Sequence, residues 1–424
     1  MSSERPLRVL IAHNSYRQPG GEDRVFELEQ RLLQARGHQV FRFQDHNERI
    51  SQMGSLRLAA NTIWNRRSHS DIVAVLRRNQ IDVVHVHNTF PLISPSVYHA
   101  AKRAGVPVVQ TLHNYRLLCP DAKLMKNDKL CEECLGKRFA WPGVLNGCYQ
   151  HSRRATAVTA AMTAVHSVLG TWTNCIDRYI ALTEFARVKF IQGGLPGEKI
   201  AVKPNFVDPD PGCGEGQGDY ALFVGRLAPE KGIGTLLAAW SSLGSNLPLR
   251  IVGDGPLADQ VREAASQNPN IIWKGSLAPE LVKQQMRGAR FLICPSVWYE
   301  SFGMIIVEAF ATGLPVIGSN LGAMAELIDH ERTGLLFSAG DAQDCARAVH
   351  YALSRPDLVN YMRAQARHEY ERHYTGPRNY DILMSIYGDA KREASSVSKG
   401  QHENEPIVEF SPSPISKRVS QSPE

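Results

Sequence analysis

Short apolar, strand-like runs alternate with helical patterns along most of this chain, and they do so in two successive series. The first comprises LRVLIA (7–12), HQVFRF (38–43), DVVHVH (82–87), PVVQTLH (107–113) and RYIALT (178–183). The second comprises YALFVG (220–225), LRIVGD (249–254), NIIWKG (270–275), RFLICPS (290–296) and LPVIGS (314–319). Strands that alternate with helices pair in parallel, because each return to the same edge needs a crossover long enough to hold a helix. The fold class expected is therefore α/β, with two Rossmann-like, doubly wound parallel-sheet domains. A length of 424 residues agrees, being too great for one compact core. Residues 1–205 form the first expected domain and 206–370 the second. Between them the Pro- and Gly-rich stretch VKPNFVDPDPGCGEGQGDY (202–220) reads as the linker. A helix over 371–392 is expected to return to the first domain. The polar tail 393–424 reads as disordered.

Charge and hydropathy narrow the setting. A formal net charge of +6 favours anionic partners such as phosphates or lipid head groups. Nothing in the sequence points to nucleic acid. The start MSSERPLRVLIAHNS lacks a signal-peptide pattern, and no window reaches the ~18 apolar residues of a spanning helix. The expectation is a cytoplasmic protein, able to sit peripherally on the inner face of the membrane.

The densest chemistry lies in the second half. In FVGRLAPEKGIGTLL (223–237) a strand ends at Gly225, followed by Arg226, Lys231 and a helix. Two cations beside a helix N-terminus, at the C-terminal edge of a parallel sheet, suit a diphosphate. The bland alternative is a loop whose cations point into water. IVGDGPL (251–257) reads as a tight turn. WKGSLAPEL (273–281) places backbone groups of Lys274 and Gly275 at a strand end, where a base could be read. In SVWYESFGMIIVEAF (296–310) a strand gives way to a loop carrying Glu300 and then to a helix carrying Glu308. The amides around Phe302, Gly303 and Met304 would face the crevice and favour an anion, while Glu308 could accept from the two hydroxyls of a ribose; the bland alternative is two ordinary glutamates near a helix start.

Taken in order, GRLAPEKG, GDGP, PSVWYESFGMIIVEAFATGLPVIGS and HERTGLLF resemble the C-terminal domain of retaining glycosyltransferases of family 4, with their E-x7-E signature. PGGEDR, DVVHVHN, TLHNYR, ALTEF and VKPNFVD resemble the N-terminal domain, so the likeness runs from about residue 7 to 370. The resemblance implies a GT-B fold in which 1–205 is the acceptor side and 206–370 binds a nucleoside-diphosphate-sugar. It implies that Arg226 and Lys231 hold the diphosphate, Glu308 the ribose, and Phe302 to Ile305 the sugar and phosphate. Glu300 and His113 would then stand at the reaction centre, and Gly20 and Gly21 would form a glycine-rich loop closing over the phosphate or framing the acceptor. The acceptor implied is a saccharide or lipid-linked saccharide. A same-fold epimerase and a non-catalytic nucleotide-sugar-binding protein are the rival readings. No metal or other cofactor is required at the donor site.

Three further features stand outside that pattern. Cys119, Cys131, Cys134 and Cys148, within an insertion at 119–148, have a central CxxC and suit a structural Zn²⁺, with reduced or disulfide-linked thiols as the alternative. The pair Asp208 and Asp210 lies in the linker and reads as hinge chemistry. His85 and His87 are expected on opposite faces of their strand, which would rule out a joint metal site. Finally, Arg49 to Arg78 carries six arginines with Leu56, Ile63 and Trp64 interleaved, and reads as one basic helix, either for an anionic membrane surface or as a solvated helix face.

Overall fold

A computed structural model describes residues 5–17, 20–215, 218–244 and 247–402, with side chains described through 395. Eight strands belong to the first half: β1 (Arg8–Ser15), β2 (Gln39–His46), β3 (Val83–Asn88), β4 (Val108–Thr111), β5 (Met125–Lys126), β6 (Lys129–Leu130), β7 (Arg178–Ala181) and β8 (Ile200–Val202). Six of them form a parallel sheet in the order β2-β1-β3-β4-β7-β8, while β5 and β6 make a separate antiparallel hairpin inside the cysteine insertion. The second sheet is also parallel, in the order β11-β10-β9-β12-β13-β14. Its strands are β9 (Ala221–Val224), β10 (Leu249–Val252), β11 (Ile271–Trp273), β12 (Phe291–Cys294), β13 (Val316–Ser319) and β14 (Gly334–Phe337). β5, β6, β8 and β14 had no counterpart among the expected strands; each spans only two to four residues.

Both sheets are covered by helices, so their central strands are buried on both faces. Val9 to Ala12, Leu222, Leu292 and Val316 all lie within buried clusters. Strand order reverses beside β1 in the first sheet and between β9 and β12 in the second. Such switch points leave a crevice at the carboxyl ends of the strands, where ligands of doubly wound sheets bind.

The C-terminal helix Gly376–His402 crosses back to the first sheet, placing Leu383, Ile386, Tyr387 and Ala390 against Val9, Ile11, Val83 and Ile180. The tail expected to be disordered from 393 is helical to His402, and Glu393 pairs with Arg178 and, at 3.1 Å, with Lys199. Residues 403–424 lie outside the described residues.

Two other expectations fail on geometry. Side chains alternate with period two along a strand, so His85 and His87 share a face, and both rings turn toward Glu29 at 3.5 and 3.4 Å. The segment 49–78 is not one basic helix. It breaks into a short 3-10 turn, a helix Ser55–Ile63 and a helix Arg66–Asn79, the last capped by the Asn65 side chain accepting from the amides of Arg67 and Ser68.

Candidate functional site

The carboxyl ends of the two sheets face each other across a cleft of about 700 Å³. That is the size range of pockets for small-molecule ligands. One wall comes from the loops after β9 and β12. A glycine is obligatory where these loops meet. Gly232 has φ +70, and a Cβ there would sit 1.8 Å from the Pro295 carbonyl oxygen. The amide of Val297 also donates to the Glu230 carbonyl at 3.0 Å. This close approach brings Lys231 to Glu300, with Nζ 2.5 Å from Oε1, while Ser296 Oγ donates to the same oxygen at 3.0 Å. Burial pushes the Glu300 carboxyl up, but the charge and hydrogen bond of Lys231, with Trp298 and Ser296, outweigh it and hold the group below the ordinary range.

Gly303, at φ +103, turns the chain into helix Met304–Ala311. The amides of Met304 and Ile305 have no acceptor one turn back, whereas Ile306 donates to the Gly303 carbonyl at 2.9 Å, and Phe302 to Ile305 line the cleft. Glu308, on the same helix, lines the cleft and pairs with Arg24 from the facing domain. Burial raises its carboxyl above the usual range against the pull of Arg24 and Lys283. Arg226 is exposed at the mouth and has no carboxylate partner among the described residues.

The facing wall belongs to the first domain. His113 lines the cleft, and its backbone carbonyl accepts from Ser301 Oγ at 2.6 Å. Tyr115 Oη donates to the Glu300 carbonyl at 3.3 Å. Gly20 and Gly21 open the helix Gly21–Ala35, and Gly21 stands opposite Met304 with only 3.8 Å between its would-be Cβ and Met304 Cγ. The glycine pair thus stands across the cleft from the start of the helix bearing Glu308.

Eleven of the thirteen residues expected at the donor and reaction site line this one cleft. Lys274 and Gly275 do not. The Lys274 amide donates to the Ile251 carbonyl, and the Gly275 carbonyl accepts from Gly253, so the sheet edge consumes part of the backbone expected to read a base. Conversely, the cleft recruits Glu22, Arg24 and Trp298, which the sequence reading passed over. Glu22 accepts from the side-chain amides of Asn88 and Asn114, each at 3.0 Å, and burial pushes its carboxyl up to about 6. Its signal in the sequence is its place directly after Gly20-Gly21.

The four insertion cysteines are free thiols and line one small cavity near helix Trp141–Asn146. Burial pushes the Cys119, Cys134 and Cys148 thiols above the ordinary range, with backbone amides beside Cys119 pulling partly the other way. The four residues are of zinc-binding type and share one cavity, but no three of their sulfurs lie within 4.8 Å of one another. Among the described residues, the one group with three ligand atoms mutually within 4.8 Å is Glu29, His85 and His87. In the linker, Asp210 is gripped by Arg367 at 2.6 and 2.8 Å. No described helix is long and apolar enough to cross a membrane.

Two parallel-sheet domains with a charged cleft between their carboxyl ends define a GT-B architecture. Comparison with known proteins agrees: residues 19–211 match the model of Glycosyltransferase Family 4, and 215–369 that of Glycosyl transferases group 1. The chain belongs to the family-4-type GT-B glycosyltransferases. It is 31% identical to an uncharacterized glycosyltransferase of Methanocaldococcus jannaschii over 171 residues, 39% of this chain and 44% of that protein. It is 28% identical to the phosphatidyl-myo-inositol mannosyltransferase of Mycobacterium leprae over 57% of this chain and 67% of the relative. Several relatives are thus matched over less than half of their own length. Among solved structures, Anabaena HepE in complex with UDP covers 90% of this chain and all of its own at a TM-score of 0.64 and 16% identity. A glycosyltransferase from Rickettsia africae covers 91% of this chain and 99% of its own at 0.68 and 16%. At such identities the likeness speaks for the fold.

Proposed function

We propose that this protein transfers a glycosyl group from a nucleoside-diphosphate-sugar to a hydroxyl acceptor, with retention at the anomeric carbon. The observation that carries the reading is the convergence, in one cleft, of Arg226, Lys231, Glu300, the helix amides and Glu308 on one wall with His113 on the other. The bond from the anomeric carbon to the diphosphate oxygen breaks, and its electron pair leaves with the diphosphate. Arg226, Lys231 and the amides at Met304 receive that charge in place, without having to reorganise. The acceptor oxygen forms the new bond from the same face, and its proton passes to the departing phosphate. No protein nucleophile is needed. Positive charge growing on the ring is met by Glu300, whose carboxylate Lys231 keeps ionised. With two cations and a helix terminus at the diphosphate, the reading calls for no divalent ion there.

For the acceptor we propose a saccharide or lipid-linked saccharide, as in exopolysaccharide, capsule or lipopolysaccharide assembly. A relative named for phosphatidyl-myo-inositol supports a lipid-borne acceptor. So do the exposed Arg57, Arg66, Arg77 and Arg78 and the exposed Leu56 on two neighbouring helices, which suit an anionic membrane on the cytoplasmic side.

Thermal-shift screening against a panel of nucleotide-sugars should show one donor class that stabilises the protein. Product analysis with that donor plus host lipid extract should then yield a glycosylated lipid or saccharide, in the presence or absence of EDTA. Formation of an isomerised sugar without acceptor would overturn the transfer reading in favour of epimerisation. Donor binding with neither transfer nor hydrolysis would leave only a binding protein.

A further inference from the structure

Behind His113 a chain of buried groups runs into the first domain. His113 Nε2 lies 2.9 Å from His87 Nδ1. His87 Nε2 faces Glu29 Oε2 at 3.4 Å, and Glu29 Oε1 receives Lys203 Nζ at 2.5 Å. All of Glu29, His87 and Lys203 are closed to solvent, at 0–3% exposure. Lys203 also donates to Asn379 Oδ1 at 3.1 Å, so the chain is anchored where the interdomain linker meets the returning helix.

We infer that Glu29 and His87 are positioning residues that fix the proton on His113, so that its Nδ1 faces the cleft as a hydrogen-bond acceptor for a hydroxyl of the donor sugar. The protons follow from the partners. An ionised carboxylate only accepts, so the proton of His87 sits on Nε2, toward Glu29. A neutral His87 then offers a lone pair at Nδ1, and His113 must donate to it from Nε2. That leaves His113 Nδ1 bare, and it has no protein partner among the described residues. The electrostatics are consistent. Burial would raise Glu29, but Lys203, with His87 and His85, outweighs it and holds the carboxyl well below the ordinary range. Burial together with neighbouring imidazole keeps His87 and His113 neutral. The Lys203 ammonium already balances Glu29, which argues against reading Glu29, His85 and His87 as a cation site, close as their ligand atoms are.

A cleft-facing acceptor sets specificity. It rewards a sugar with a hydroxyl at that position and rejects one carrying fluorine or hydrogen there, since neither can donate. The sugar contact rests on the proposed function; the proton arrangement does not.

The test is ¹⁵N NMR of the histidine-labelled full chain, with His113 assigned by loss of its signal in His113→Gln. Between about pH 6 and 8 the wild type should show His113 neutral, protonated at Nε2 and bare at Nδ1. A cationic His113, or the Nδ1–H form, would overturn the proposal without recourse to any further variant. Glu29→Gln sharpens the result. Its carbonyl will turn to Lys203 and its NH₂ to His87 Nε2, reversing both imidazoles and leaving Nδ1–H in the cleft. The expected readout is a switched His113 tautomer and a tenfold or greater fall in transfer kcat/KM. Affinity for the free nucleoside diphosphate, which touches the opposite wall, should stay within about twofold. An unswitched tautomer in a folded Glu29→Gln protein would also overturn it. Loss of nucleotide binding in the wild type would instead strike the proposed function.

Discussion

Lys231→Ala probes the site most directly, because the ammonium serves two anions. In the ligand-free protein it holds Glu300 at 2.5 Å, with side chains 26% and 13% exposed. Under the proposed function it also meets the diphosphate. Hydrogen bonds to charged groups are worth about 1.5–3 kcal/mol, so the substitution should weaken nucleoside diphosphate binding by roughly 10- to 150-fold. Part of that loss is indirect. Without Lys231, Glu300 keeps its burial but loses the charge that holds it ionised, and any remaining anion repels the incoming diphosphate. The double variant Lys231→Ala with Glu300→Gln should therefore bind the nucleotide more tightly than Lys231→Ala alone. A coupling energy of about 0.5–3 kcal/mol is expected for groups in contact. Isothermal titration calorimetry on the four proteins of this cycle measures both quantities. Unchanged affinity in Lys231→Ala would remove it from the phosphate site, and strictly additive losses would refute the shared role. The pH dependence has a definite sign. A carboxylate depressed in the folded state lends stability above its unfolded pKa of about 4.5, and loses it as pH falls through the folded value. Lys231→Ala should accordingly cost more stability near neutral pH than in acid.

Three other outcomes are expected. Glu22 is raised from 4.5 to about 6, so its contribution to stability is complete below about pH 4.5 and is lost as pH rises through 6. Relative to wild type, Glu22→Gln should gain up to about 2 kcal/mol in denaturant unfolding between pH 4 and 8, with a flat difference counting against a buried carboxylate. Arg24→Ala frees Glu308 from its cross-cleft partner and should tighten nucleoside diphosphate binding a few-fold, as befits a half-exposed pair worth about 0–1 kcal/mol; weaker binding would mean that Arg24 itself holds the donor. Elemental analysis of the purified protein should find about one zinc per chain, drawing the four insertion cysteines together, and Cys131→Ser should reduce it. A protein without stoichiometric zinc or iron would leave them as packed thiols.

How much could be read in advance depended on how local the cause was. Strand runs such as 221–224 and 291–294 announce themselves, because burial on both faces demands an unbroken apolar run. The loop-to-helix step at Gly303 is equally local, being set by one left-handed residue. Short strands such as β8 and the β5–β6 hairpin carry too few residues for any periodicity, and their pairing is decided by neighbours far along the chain.

The sequence by itself determined the two parallel sheets and most of the charged residues that one cleft would gather, Glu22 and Arg24 excepted, since each follows from residue type and spacing. It also held the order of motifs that marks the family. Only the tertiary structure decided which charges meet. Arg24 reaches Glu308 across 284 residues of sequence, and Lys203 reaches Glu29 across 174, contacts made by packing whole domains and invisible to any local pattern. Only packing likewise turned His85 and His87 onto a common carboxylate and set Glu300 under the control of Lys231. Charge, hydrogen bonding and burial act through space, so the chemistry of a carboxylate or an imidazole is settled by its neighbours in the fold.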